Sequence, residues 1–148
     1  MSSPRSEVLG MLVDCFELLS RELHEKDRGK AKALRTRARE MPAELISKGF
    51  SYVLVLCASR GKLNAVESGL KYDSCQKLLE VIKDLSDEKA GYSLYGAILL
   101  MSLKKIGAIN ETRFSEVIKN SLDNPILDST AYSLMDWIKR LAEAYIEE

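Results

Sequence analysis

Apolar positions recur along this chain at three- and four-residue spacing, and alternation of the kind a strand requires is absent. Val8, Leu12, Phe16, Leu19 and Leu23 mark the face of a first helix from Glu7 to about Lys26, capped by Ser6 and preceded by a loose tail over residues 1–5. Gly29 punctuates it, and Lys30 to Glu40 begins a second, strongly basic helical segment. From Pro42 to Ala58 two apolar stripes run side by side: Ile46, Phe50, Val53, Leu54 and Cys57 on one, Leu45, Gly49, Tyr52 and Leu56 on the other. A helix apolar on two sides belongs at the centre of a bundle, so this segment is the expected central element, with Pro42 starting it or kinking a longer one. A loop over Ser59–Asn64 leads to a helix from Ala65 to Leu85, with irregularity at Gly69. A second connection spans Ser86–Gly91. Tyr92 to Ile106 then reads as a helix apolar on most sides and stopped by Gly107. Asn110 or Thr112 caps a short helix carrying Phe114, Val117 and Ile118. After the turn signature Asp123-Asn124-Pro125, a last helix starts near Asp128 or Ser129 with Leu134, Met135, Ile138 and Leu141 inward.

The expected architecture is an all-α, single-domain bundle of five to six helices covering residues 1–148. A chain of 148 residues with three prolines and eight glycines can bury a core of its own. Its three cysteines, Cys15, Cys57 and Cys75, are odd in number and sit among apolar residues. They read as buried, reduced thiols of a cytoplasmic protein. The longest apolar run, Leu94–Leu103, is too short for a membrane span, and no apolar leader segment is present.

Charge changes the picture more than composition does. The net charge is zero, yet Arg21–Lys62 holds eleven Lys/Arg against five Asp/Glu, and Asp123–Glu148 holds two against six. This predicts one basic and one acidic end, suited to anion binding or head-to-tail association. Within Lys26–Arg39 seven cations face a single carboxylate, Asp27. On a helix, Lys32, Arg35 and Arg39 form one ridge, and arginines on a ridge can grip phosphates bidentately. Aromatic residues are not interleaved there, so sequence readout by base stacking is not expected.

Signatures of catalysis are missing. The single histidine, His24, has no second imidazole and reads as a surface or boundary residue. Gly29-Lys30 and Gly61-Lys62 lack the rest of a phosphate-binding loop, and there is no Gly-x-Ser-x-Gly elbow. The sequence therefore predicts no enzyme, no metal site and no cofactor.

Two stretches resemble a known family. The first comprises Arg39-Glu40-Met41-Pro42, Ile46, Gly49-Phe50, Leu54, Leu56 and Ser59-Arg60-Gly61; the second is YSLMDWIKRLAEA from Tyr132 to Ala144. Together, in this order, they resemble the helical small subunit of the Cmr complex, the type III-B CRISPR RNA-guided effector of antiviral defence. Lys48 stands where the family favours Asn, and Arg60 where Lys is commoner. Ala65–Asp123 carries no matching motif. The resemblance implies a non-catalytic bundle that self-associates along the effector, contacts its other subunits and supports the guide RNA–target RNA duplex. Candidate RNA-facing residues are Arg35, Arg37, Arg39, Lys48, Arg60 and Lys62, with Lys139 and Arg140 secondary. Of these Arg39, Arg60, Lys139 and Arg140 lie in the matched motifs, and charge alone nominates the rest. Trp137 is expected in the core, and Gly49 at a close helix approach. The alternative is a helical protein–protein adaptor with no nucleic-acid role.

Overall fold

The computed structural model describes residues 3–147. Among them every regular element is helical: α1 (Pro4–Leu19), α2 (Arg28–Lys48), α3 (Phe50–Arg60), α4 (Leu63–Glu67), α5 (Cys75–Ile82), α6 (Asp87–Lys105), α7 (Phe114–Ser121) and α8 (Pro125–Tyr145). A π-helical turn, Ser20–His24, prolongs α1, and a 3-10 turn, Ser68–Leu70, follows α4. The all-helical expectation holds, with eight α-helices where five to six were expected. The surplus comes from Gly49, which divides the expected 42–58 helix, and from residues 71–74, which divide the expected 65–85 helix.

The centre of the bundle is α6, not the Pro42–Ala58 segment. Every residue from Ala90 to Leu103 is buried, and α6 packs against α1 to α5 and α8. Two of its glycines set the distance of approach: a Cβ at Gly91 would meet the backbone of Ala33, and one at Gly96 would meet Val66 and Cys57. Ser86 accepts from the Lys89 N–H at 3.4 Å, and Asp87 and Glu88 lie in the first turn. At the other end Gly107, at φ 85°, closes the helix: its N–H donates to Lys104 O and that of Ala108 to Leu103 O. The helix thus begins inside the expected 86–91 connection.

The Pro42–Ala58 reading fails for a local reason. α2 runs unbroken through Pro42, and Gly49 then turns out of helical space at φ 90° and ψ 166°. Across the break the stripes lose register: Phe50, Val53, Leu54 and Cys57 after it are buried, whereas Ile46 before it is 71 % exposed and Tyr52 after it lies outside. Gly49 is there for its backbone angle and not for close packing, since a Cβ would meet only Asp128 Oδ2 at 3.8 Å. Gly29, read as punctuation, lies in the first turn of α2. Ser3, rather than Ser6, caps α1, and Pro4 is its first residue. Of the expected N-terminal tail, residues 1 and 2 lie outside the described residues.

Two further expectations are overturned. Cys15 and Cys75 are joined by a disulfide, because α1 and the start of α5 bring their Cα atoms to 5.4 Å across 60 residues of sequence; Cys57 alone is a free, buried thiol. The acidic C-terminal helix is not an opposite pole either. α8 packs along basic α2, and Glu143 reaches Arg39 at 3.6 Å. No described helix is long and apolar enough to cross a membrane.

Candidate nucleic-acid interface

Unbroken, α2 keeps its basic residues on a helical lattice over twenty-one residues, roughly 30 Å at 1.5 Å per residue. Ala31, Leu34, Ala38, Met41 and Leu45 form its buried stripe. The spacing then dictates where the cations go. Lys32 and Arg39 are exposed and Arg35 half-buried on the flank toward α8. Arg37 lies two residues from both Arg35 and Arg39, about 200° around the helix, and so leaves on the opposite flank.

There Arg37 is largely enclosed, its side chain only 16 % exposed and 3.4 Å from Glu40. Its guanidinium lies 4.4 Å above the Tyr92 ring of α6, a cation–π contact that fixes α2 on the central helix. Beneath it lie two buried ionisable groups. Burial pushes the Cys57 thiol up from 9.0 to about 12, although the positive charge of Arg37 opposes the rise. Burial, with a lesser contribution from Cys57, raises the Tyr95 phenol as well. The Tyr95 hydroxyl has no hydrogen-bond partner among the described residues. A protonated, enclosed thiol is no nucleophile at neutral pH.

The remaining candidates fall into two groups. Arg140 joins the Arg35–Arg39 flank: its guanidinium lies 3.1 Å from Glu143 Oε1, while Oε2 of the same carboxylate faces Arg39. One glutamate therefore holds two arginines from different helices side by side. Lys139 is half-buried on α8. On the other flank Lys48 lies 4.5 Å above the Tyr52 ring and 4.0 Å from Glu44. Arg60 and Lys62 are exposed at the far end of α3, where the Lys62 N–H donates to Ser93 Oγ at 2.9 Å. Lys48 and Arg60 are thus separated by the length of α3, roughly 16 Å. The eight candidates do not form one patch.

No family model, no curated protein and no solved structure matches this chain.

Sequence reasoning placed Arg35 and Arg39 together but missed Glu143, because a bridging carboxylate on a distant helix leaves no local signal. Arg28 is another exposed cation on the ridge flank, seven and eleven residues before Arg35 and Arg39. Helical spacing alone could have included it. Trp137 was expected in the core and lies instead at the surface, 40 % exposed. It sits at the edge of the stripe formed by Leu134, Ile138 and Ala142. Among the described residues no three His, Cys, Asp or Glu side chains converge as a metal site would require.

Proposed function

We propose that this chain is a non-catalytic small subunit of a type III-B CRISPR RNA-guided complex, where its basic surface supports the guide RNA–target RNA duplex. The observation that carries the reading is the α2 flank, on which Arg28, Lys32, Arg35 and Arg39 follow one another at helical spacing, with Arg140 held beside them through Glu143. A rigid row of cations suits a phosphate backbone, whose recognition needs charge at intervals and no base contact. The motifs shared with the Cmr small subunit, at Arg39–Pro42 and Tyr132–Ala144, fall on the two helices that build this row. Arg37 supports the fold more than the surface.

Gentle affinity purification from the native host tests the reading. Short RNAs sharing a repeat-derived end, co-isolated with several larger subunits, are the expected result. Substituting Arg35, Arg39 and Arg140 by Glu together should release the RNA, and each lost phosphate contact should reduce the salt slope by about 0.7–0.9.

One observation favours the adaptor reading. Ile46 and Tyr132 line a shallow cleft with Leu45, Asp128 and Ser129 between α2 and α8, and Ile126 nearby on α8 is 80 % exposed. Exposed apolar residues rimmed by polar ones suit contact with another polypeptide. A single co-isolated protein with no RNA above background would make the adaptor reading the correct one.

A further inference from the structure

On the other side of α8, facing α1, lies a cleft of about 280 Å³. Its wall on α8 comprises Thr130, Ser133 and Trp137, spaced so that they stack along one flank, and its wall on α1 comprises Arg5 and Leu9. Ile106 contributes to the apolar lining. Trp137 is the only tryptophan in the chain, and its ring is held at the rim and not driven inward. Arg5 has no ion-pair partner among the described residues. Ser133 is exposed and its hydroxyl has no hydrogen-bond partner among the described residues, and Thr130 Oγ1 donates to Ile126 O at 3.1 Å, which leaves its lone pairs able to accept.

We propose that this cleft binds one unpaired nucleotide, its base stacked on Trp137 and its phosphate held by Arg5. The chemistry of the walls selects this class of ligand. An indole face stacks on any nucleobase, whichever the sequence. The guanidinium supplies a fork for phosphate oxygens and disfavours a cationic ligand. The two hydroxyls offer hydrogen-bonding edges for a ribose, and Leu9 and Ile106 exclude water beneath the rings. The volume lies near the lower end of ligand-site sizes, about 300 Å³, so one nucleotide fits and a folded oligonucleotide does not. The site is separate from the α2 ridge, and a mononucleotide needs no contact with that ridge. Its test therefore does not depend on the duplex-supporting role.

The single indole provides the probe. Trp137 fluorescence is followed while adenosine and uridine monophosphates, the matching nucleosides, and a short single-stranded oligoribonucleotide are added. Saturable quenching is expected at millimolar mononucleotide and at lower oligonucleotide concentration. Arg5→Gln should weaken the nucleotides several-fold and leave the nucleosides unchanged. Trp137→Leu, folded by circular dichroism, should bind a labelled oligonucleotide roughly tenfold more weakly in equilibrium dialysis. Arg35→Glu with Arg39→Glu should leave mononucleotide quenching intact. Absent or non-saturating quenching overturns the proposal, and so does an Arg5→Gln protein that still distinguishes nucleotide from nucleoside as well as wild type does.

Discussion

A methyl group at Gly69 has no room, because the Cβ would run into the backbone carbonyl of Ala97 on the central helix. Backbone cannot swing aside as a flexible side chain can. Gly69→Ala should therefore destabilise the protein by about 2 kcal/mol or more, read as a lower urea midpoint with an unchanged m-value. The sequence marked Gly69 as irregular but gave no hint of Ala97, since the pair meets only in the folded chain. Gly49 was misread for the complementary reason: positive φ and close packing both call for glycine, and one letter cannot tell them apart. The buried Cys57 thiol carries a pH signature. In the unfolded chain it ionises near 9.0, and in the folded one only near 12. Stability from this group is thus complete below pH 9 and lost as pH rises toward 12, on the order of 4 kcal/mol in all. Tyr95, also raised, adds to the loss above its ordinary 10.0. Urea titrations across pH 8–11 should show Cys57→Ala losing less stability with pH than the wild type.

At the scale of elements, α2 is the exception to ordinary helix rules. Pro42 lies inside it, where the ring offers no N–H to the carbonyl four residues back. Pro42→Ala restores that donor and should raise stability by roughly 1–3 kcal/mol, visible as a higher Tm. Pro42→Gly should not. Helix existence and most inward faces were legible, because apolar spacing is a local property of the chain. Which helix stands at the centre was not. The 42–58 segment carries two apolar stripes but is cut at Gly49, whereas α6 is uninterrupted and studded with Gly91, Ser93, Gly96 and Ser102. Those small residues lower its apparent hydrophobicity yet are what let six neighbouring helices come close. Trp137 repeats the point on α8, where one residue of rotation separates it at the rim from Ile138 in the core.

At the scale of the whole molecule, two long-range devices escape any local reading. The Cys15–Cys75 bond closes a 60-residue span and ties α1 to α5. By restricting the unfolded chain it should contribute about 4 kcal/mol. Dithiol reductant should lower the urea midpoint accordingly, and the Cys15→Ser, Cys75→Ser double variant should not respond to it. The second device is the distribution of charge. Counting along the chain separates a basic segment from an acidic one, yet folding lays α8 against α2 and lets Glu143 hold Arg39 and Arg140 together. What sequence gives as polarity, the fold converts to a local balance, leaving the cations as a narrow row.

The first turn of α3 is closed from far away: the Phe50 N–H donates to Asp128 Oδ1 at 3.1 Å, across 78 residues. Glu67 does the same for α7, accepting from the Phe114 N–H at 2.8 Å. On the ribosome, α3 emerges well before the carboxylate that caps it has been translated. A nascent chain can coil that segment early but cannot complete it until α8 is made and docked. The order of synthesis thus differs from the order of assembly, and the C-terminal helix finishes work begun near the middle of the message.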